Sequence, residues 1–406
     1  MKIVRILAAC ACLMLLCSCS TRAIWSGGDS LRPPLPPETS FNKDAGHGNH
    51  LFVRLHLANS EDLLFGVDTG SPYTMLDKSL EPILGKRLGK MKFAYEWAGS
   101  ATVDGYEAPK LYLGGVQLLT GDRVFTDDLK RMGDDLPLMG ILGMDCLRHY
   151  CIQLDFAADK MRFLDPDQPT SENLGKAFPL RVDSFKPSTT HANFLRQGDA
   201  DYVVDTGDVS DAALKPKLFS QELGGQTVQM TLQTKTFAGV KVNEAFLPNT
   251  VFNGEACTNF ILGERPDGNL IGIRFLARHL TTLNFPKQTM YLQRRNDEPF
   301  ADENNFINAS GYAYTMEAQE FFLSLKSKGQ LPGWLKEEHG GVSVWTPNKE
   351  TAEIYPISRT FIATKSGGVS EYRYTVVKVS RNAIWKLQRA WRTDAKGHVV
   401  EEYPIP

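Results

Sequence analysis

Two Asp-Thr-Gly triplets are the residues of this 406-residue chain whose types could do chemistry together. Asp68–Gly70 ends the run "LLFGVDTG", and Asp205–Gly207 ends "ADYVVDTG". An apolar run followed by Asp, Thr and Gly predicts a buried strand that leads into a tight loop. If the two loops meet, their carboxylates would share one proton, because neighbouring like charges cannot both ionise easily. Such a pair can supply both the base and the acid that peptide hydrolysis requires.

The triplets belong to an internal repeat. Blocks beginning at Gly140 and Asn269 match without gaps at an offset of 129 residues, which places Gly143 on Gly272. The other matched pairs are Leu147 and Leu276, Leu154 and Leu283, Phe156 and Phe285, and Met161 and Met290. Between triplet and block lie "LGGV" (Leu113–Val116) in one copy and "FAGV" (Phe237–Val240) in the other. Three landmarks in one order predict two copies of a β-rich unit of roughly 120 residues.

The Thr and Gly residues of the two triplets would allow the loops to lie against each other. Gly70 and Gly207 would permit a close backbone approach and an unusual φ. Thr69 and Thr206 could hydrogen-bond across an approximate two-fold axis and lock the loops together.

On these motifs the chain resembles the pepsin-like and retropepsin-like aspartic proteases. The resemblance lies in "VDTGS", "VVDTGD", "ILG" and "LIG", and it covers about Leu51 to Leu292. It implies a mainly β, two-lobed acid-protease fold, a catalytic dyad of Asp68 and Asp205, and no cofactor or metal. It also implies a hydrogen bond from Ser71 to the outer oxygen of Asp68. The blocks that would pack beneath the two loops are Ile141, Leu142, Gly143 and Leu270, Ile271, Gly272.

The resemblance also implies a hairpin flap in the first lobe alone. The stretch from Asp68 to Gly115 is 13 residues longer than that from Asp205 to Gly239. The extra length falls near "FAYEWAGSATVDGYEA", which would place Tyr95 or Trp97 over the substrate. The alternative is a surface hairpin with an aromatic packing pair.

Asp208 departs from the family pattern, which has Ser or Thr at this position. A carboxylate cannot donate to the outer oxygen of Asp205 unless it is protonated, and an ionised Asp208 would raise the proton affinity of the dyad. The hypothesis is a pH optimum that differs from that of an Asp208→Ser variant. Alternatively, Asp208 turns outward and caps a short helix in "SDAALKPKLF".

The N-terminus predicts export. Lys2 and Arg5 precede a short apolar run, as in a secretory signal, and "LCSC" resembles a bacterial lipobox with Cys19 as the lipidated residue. A plain signal peptide cut nearby is the alternative. Residues 20–48 are rich in Pro and small polar residues, which predicts a tether. His47 and His50 could belong to a metal site, but no carboxylate or thiol pattern accompanies them, so a flexible linker end is favoured.

The predicted organisation is therefore a signal peptide over 1–19, a tether over 20–48, lobes over 49–170 and 171–300, and a tail over 311–406. A helical stretch followed by strand-like runs predicts a small α+β tail domain, whose shape resembles a cystatin/NTF2-like roll. Cys146, Cys151 and Cys257 follow the signal region and could form one disulfide or remain buried thiols.

Composition and motifs narrow the function further. A net charge of −2 gives no reason to expect a nucleic-acid partner. There is no G-x-S-x-G, P-loop, H-E-x-x-H or C-x-x-C motif. The favoured prediction is a monomeric aspartic endopeptidase that acts on peptides or proteins and is lipid-anchored in a bacterial envelope. The alternatives are a non-catalytic peptide-binding lipoprotein and a unit that needs a partner or dimer, against which two triplets in one chain argue.

Overall fold

The computed structural model is mainly β, and its described strands form four sheets. It describes residues 34–403 apart from 48, 59–60, 96–98, 130–137, 170–172, 184–186, 196–197, 229, 236–240, 267, 295–311, 332–334, 340–342, 346–356, 366–370, 381–382 and 395–397. Within those residues, no helix is long and apolar enough to cross a membrane.

The first copy of the repeat contains twelve described strands, one 3-10 helix (Lys78–Ile83) and one short α-helix, α1 (Met144–Leu147). The strands are β1 (Thr39–Ser40), β2 (Phe52–Leu57), β3 (Leu63–Val67), β4 (Met75–Asp77), β5 (Arg87–Tyr95), β6 (Gly99–Glu107), β7 (Leu111–Leu113), β8 (Val116–Gln117), β9 (Arg123–Asp127), β10 (Leu138–Leu142), β11 (Cys151–Asp155) and β12 (Lys160–Leu164).

The second copy contains ten described strands and the helices α2 (Pro216–Leu223) and α3 (Ile273–Ala277). The strands are β13 (Lys176–Pro179), β14 (Thr189–Leu195), β15 (Gly198–Asp205), β16 (Ala212–Leu214), β17 (Met230–Lys235), β18 (Lys241–Phe252), β19 (Glu255–Glu264), β20 (Leu270–Gly272), β21 (His279–Asn284) and β22 (Thr289–Arg294).

The two copies have the same strand order in their main sheets. The first sheet runs β5-β6-β9-β4-β10-β3-β2 and continues to β7-β8, and the second runs β17-β18-β19-β16-β20-β15-β14. In both sheets the strand before the Asp-Thr-Gly triplet pairs in parallel with the strand of the apolar-Gly block. The repeat in the sequence therefore corresponds to a repeat in strand topology.

A third sheet joins the copies and contains their local two-fold axis. Its order is β1-β12-β11-β21-β22-β13, so each copy contributes three strands. At its centre Gln153 pairs with Thr282, and these two residues are 129 apart, the offset of the sequence match. Ile152 pairs with Leu283 and Leu154 with Thr281, which are the symmetry-related contacts.

The structure corrects the prediction that only the first copy has a hairpin in the flap position. The hairpin of β5 and β6 has a topological counterpart in β17 and β18. The additional element of the first copy is the β7–β8 hairpin, whose turn is the "LGGV" landmark. The "FAGV" landmark lies between β17 and β18, outside the described residues, so the two were not equivalent positions. Short Gly-containing turns recur in many hairpins. The 13-residue difference in length resulted from aligning two such turns, "LGGV" and "FAGV", that belong to different hairpins.

The structure also corrects the predicted tether over 20–48, because its last part belongs to the fold. β1 pairs with β12, and the Phe41 ring is buried and packs 5.4 Å from that of Phe156. Asn42 accepts a hydrogen bond from the Phe52 amide at 2.8 Å. The first copy thus begins near Thr39 rather than at residue 49. Its strand β1 is the counterpart of β13 in the second copy, because the two are the outer strands of the sheet that joins the copies. Pro and small polar residues misled the prediction, since they also form tight turns.

The tail is an α+β unit in which one helix packs on an antiparallel sheet. Helix α4 (Tyr312–Ser327) precedes β23 (Leu335–His339), β24 (Ser343–Trp345), β25 (Ile357–Lys365), β26 (Glu371–Lys378), β27 (Lys386–Thr393) and β28 (Val399–Tyr403). The Phe322 ring of α4 stacks on Phe361 of β25 at 4.6 Å. These rings belong to a hydrophobic cluster separate from that of the repeat.

The cysteines Cys146, Cys151 and Cys257 are buried free thiols. Burial raises the pKa of Cys151 to about 12 and that of Cys257 to about 11, which keeps both protonated.

We expect Phe41→Ala to lower the free energy of unfolding by about 3 to 5 kcal/mol, because it removes a buried aromatic ring. Leu35→Ala is the matched control, since Leu35 is 44% exposed and should change stability by less than about 0.5 kcal/mol. Urea unfolding of both variants measures the difference. Equal stabilities would mean that residues 35–49 do not contribute to the core.

Candidate active site

The two Asp-Thr-Gly loops meet and are held together by reciprocal hydrogen bonds. The amide of Thr69 donates to the Thr206 hydroxyl oxygen at 3.0 Å, and the amide of Thr206 donates to that of Thr69 at 3.0 Å. Each hydroxyl in turn donates across the axis, from Thr69 to the Val204 carbonyl at 2.6 Å and from Thr206 to the Val67 carbonyl at 2.7 Å. These four hydrogen bonds are buried, and together they fix the two loops relative to each other.

The glycines allow the two carboxyl groups to approach. A Cβ on Gly70 would lie 2.5 Å from Cγ of Asp205, and one on Gly207 would lie 2.6 Å from Cγ of Asp68. Neither glycine has a positive φ, so the expected unusual backbone conformation is not found. What these positions require is the absence of a side chain.

The apolar-Gly blocks support the loops from the neighbouring strand. The Leu142 carbonyl accepts a hydrogen bond from the Asp68 amide at 3.0 Å, and Asp205 pairs with Gly272 in the parallel β15–β20 register. A Cβ on Gly143 or Gly272 would collide with the loop backbone. The block residues Ile141, Leu142, Leu270 and Ile271 are buried.

Backbone amides stabilise the Asp68 carboxylate. Its Oδ1 accepts hydrogen bonds from Gly70 at 2.8 Å and from the Ser71 amide at 3.0 Å. The expected bond from the Ser71 hydroxyl is not made, because that hydroxyl donates to the Tyr73 carbonyl at 2.8 Å. Burial nevertheless raises the pKa of Asp68, and hydrogen bonds from Gly70 and with Asp205 oppose the shift.

The environment of Asp205 favours its protonated form. Its Oδ1 accepts one hydrogen bond, from the Gly207 amide at 2.8 Å. Burial, the charge of Asp68 and the charge of Asp208 together raise the pKa of Asp205 well above its ordinary value. Asp68 and Asp205 face each other closely enough to interact, so the two carboxyl groups titrate as a pair.

Of the two orientations considered for Asp208, the structure excludes the helix cap and keeps the carboxylate close enough for its charge to act on Asp205. Oδ1 of Asp208 accepts hydrogen bonds from the amide and the hydroxyl of Ser210, which closes its own turn. It does not cap helix α2, whose N-cap residue is Lys215 and has no side-chain cap. Its charge still acts on Asp205 and raises the pKa of that carboxyl.

Sequence reasoning missed two basic side chains at this site, those of His50 and Arg265. Nη1 of Arg265 lies 3.7 Å from Oδ2 of Asp205, and both side chains are 9% exposed. The His50 ring hydrogen-bonds with the Gly207 backbone and interacts with the charges of Asp68 and Asp208. Burial lowers the pKa of His50. No motif marks either residue, because both reach the site from strand ends distant in sequence.

Buried polar networks anchor the loop segments that follow each triplet. Asp211 is completely buried and accepts hydrogen bonds from Nε of Arg274 at 3.0 Å and from Nε of Arg278 at 2.7 Å. In the first copy, Oδ1 of Asp145 accepts hydrogen bonds from the amide and the hydroxyl of Thr74, both at 2.7 Å. Charged and polar groups at this depth must be paired, so the networks restrict how the loops can move.

The remaining predicted site residues fall partly or wholly outside the described residues. Tyr95 ends β5, but its side chain is not described, and Trp97 and Cys19 lie outside the described ranges. Over the described residues, His, Cys, Asp and Glu form no group suited to hold a metal ion. The two facing carboxyl groups of Asp68 and Asp205 can perform acid–base chemistry with a shared proton.

We expect Asp205→Asn to increase the free energy of unfolding at neutral pH. A carboxyl whose folded pKa is raised contributes its full stability below the unfolded value of about 3.9 and loses it as the pH rises through the folded value. The amide side chain of the variant does not ionise, so the variant does not lose this stability. The difference between its free energy of unfolding and that of the parent should therefore grow above about pH 4.

Urea unfolding between pH 3 and pH 8 measures this difference. Asp199→Asn removes an exposed aspartate from the same strand and is the matched control. An advantage that is constant with pH would contradict the raised pKa of Asp205.

Comparisons with known proteins assign no family. No protein-family model and no curated protein matches the chain. Among solved structures it is similar to the crystal structure of basic 7S globulin from soybean, with 9% sequence identity and a TM-score of 0.43 over 65% of this chain and 96% of that chain. This identity and this TM-score are too low to assign a family or a function.

Proposed function

We propose that the protein is an aspartic endopeptidase of the pepsin-like or retropepsin-like type, in which the two copies of the repeat form the two lobes. The observation that carries the proposal is the contact between Asp68 and Asp205 on matching loops, with Thr69 and Thr206 bonded across the axis. Two carboxyl groups held close together, one of them buried, are energetically costly, and hydrolysis by a shared proton is a function that requires such a pair.

The unequal surroundings of the two aspartates support distinct roles. Asp68 accepts two amide hydrogen bonds and remains ionised, so it takes a proton from the attacking water. Asp205 holds the shared proton and donates it to the carbonyl oxygen of the scissile peptide. The tetrahedral gem-diol then collapses: the proton taken up by Asp68 passes to the leaving amine nitrogen and the C–N bond breaks. One gem-diol hydroxyl returns its proton to Asp205 as the product carboxyl group forms, which restores the singly protonated pair.

The hairpin of β5 and β6 is the flap in this proposal. It forms the end of the first main sheet, beyond β9 and β4, and Trp97 lies between its two strands in the sequence. The counterpart hairpin of β17 and β18 would form the opposite side of the cleft. A peptide held between two hairpins would be excluded from bulk water, which strengthens the electrostatic effect of the dyad.

The proposed location is a bacterial envelope, with Cys19 lipidated and the membrane as a partner through that lipid. The basic residues and apolar run before Cys19 support this location. The segment between Cys19 and β1 would then act as the tether.

Asp68→Asn and Asp205→Asn should each reduce peptide cleavage by a factor on the order of 10² to 10⁴ or more, because each removes one proton-transfer group. The measurement is kcat/KM across pH for a protein that begins after residue 19, assayed against a mixed peptide library. Asp199→Asn is the control and should cleave at the parental rate.

The outcomes separate the proposed function from its alternative. Unchanged cleavage in either dyad variant would contradict the assigned mechanism. A folded parent that binds peptides but cleaves none would favour a non-catalytic binding lipoprotein. The circular dichroism of each variant shows whether loss of activity reflects loss of fold.

Cys19→Ala should release the protein from the membrane fraction of bacteria that express the full chain, because a residue without a thiol cannot be lipidated. Fractionation with a blot against the tail measures the release, and Cys17→Ala is the matched control. Equal membrane association of all three proteins would mean that Cys19 is not the anchor.

A further inference from the structure

The outer oxygen of Asp205 faces a cation. In the sequence, Asp208 occupies the position that Ser71 has in the first copy, and its carboxylate is bonded to Ser210. No hydroxyl hydrogen bond to Asp205 is found among the described residues. Oδ2 of Asp205 instead lies 3.7 Å from Nη1 of Arg265, at the distance of an ion pair.

The fold places Arg265 at this point. Its amide donates to the Leu214 carbonyl at 2.7 Å, and the preceding residue pairs with Leu214 in the parallel β16–β19 register. In the first copy the parallel β4–β9 pairing ends at Asp77 and Asp127, so acidic residues, Asp127 and Asp128, occupy the region that corresponds to Arg265. Among the described residues, the second copy therefore differs from the first in having both an additional acid, Asp208, and a buried cation beside its triplet loop.

We propose that Arg265 is a positioning residue of the dyad, whose buried guanidinium offsets the charge of Asp208 and keeps Asp205 able to give up its proton within the working pH range. This inference rests on the proposed function for its kinetic test, but its electrostatic part can be tested without turnover. Arg265 and Asp208 would then act on Asp205 as a pair of opposite charges, each of which offsets the effect of the other on the proton affinity of Asp205.

Four charged or titratable groups determine the sign of the effect. Asp68 and Asp208 favour protonation of Asp205, and Arg265 favours its ionised form. His50, from the segment before β2, faces Asp68 and Asp208 and carries a positive charge only at acid pH. Loss of Arg265 should therefore move both limbs of the pH–rate profile to higher pH, and loss of Asp208 should move both to lower pH.

The test is a double-mutant cycle of Arg265→Met, Asp208→Ser and the double variant, each also made with His50→Gln to remove the titration of that ring. We expect Arg265→Met to shift the limbs of log kcat/KM upward by about one pH unit or more and Asp208→Ser to shift them downward. The pH profile of the double variant should be close to that of the parent. Arg265→Lys keeps the positive charge, so its profile should be closer to that of the parent than the profile of Arg265→Met is.

A second measurement needs no catalysis. The pH dependence of the unfolding free energy should become steeper above about pH 4 in Arg265→Met, because Asp205 then ionises less readily in the folded state. In the Asp205→Asn background, Arg265→Met should change the pH dependence of the unfolding free energy less than it does in the parent. A parent protein without peptidase activity would contradict the proposed function. The pH dependence of the unfolding free energy could still be measured and would still test the electrostatic role of Arg265.

Three results would overturn the inference. The first is an unshifted profile in Arg265→Met, and the second is a shift in the same direction as that of Asp208→Ser. The third is failure of Arg265→Met and Arg265→Gln to fold even when Asp208 is also replaced, which would make the guanidinium a structural group. Folding that is restored by the added Asp208→Ser change would instead support the coupling.

Discussion

The close approach of two carboxyl groups, Asp205 buried and Asp68 half-buried, is the constraint on which the rest of the fold depends. Two aspartates in contact repel each other when both are ionised, and burial increases that repulsion because it removes water. The structure holds them together by the four hydrogen bonds that Thr69 and Thr206 exchange across the axis. Because these bonds are buried and use the loop backbones, the loops cannot separate without leaving polar groups unpaired.

The supporting elements follow from this requirement. Each loop must present its aspartate without a Cβ from the opposite loop in the way, so Gly70 and Gly207 face the carboxyl groups. Each loop must also be held from behind, which the parallel pairing with β10 or β20 provides. The sheet centred on Gln153 and Thr282 joins the copies and keeps their axis in place. Networks around Asp145 and Asp211 then fix the segments that leave the loops.

The backbone is close to symmetrical, but the charges around the dyad are not. Asp68 is stabilised by two amides, whereas Asp205 is flanked by one amide, one acid and one cation. A symmetrical pair would share its proton without preference. Here the unequal surroundings favour one microstate, which is the property that an acid–base pair with distinct roles needs.

The β-rich repeat, the two loops and the residues of the triplets could be predicted from the sequence, because the triplets and apolar-Gly blocks are local patterns with fixed offsets. The start of the first copy and the additional hairpin were misplaced, since turn residues look alike in a tether, in β7–β8 and in β17–β18. The groups that surround Asp205 depend on how the chain folds in three dimensions. His50 and Arg265 reach the dyad from strand ends far along the chain, and their distance from it depends on sheet register, which no local pattern encodes.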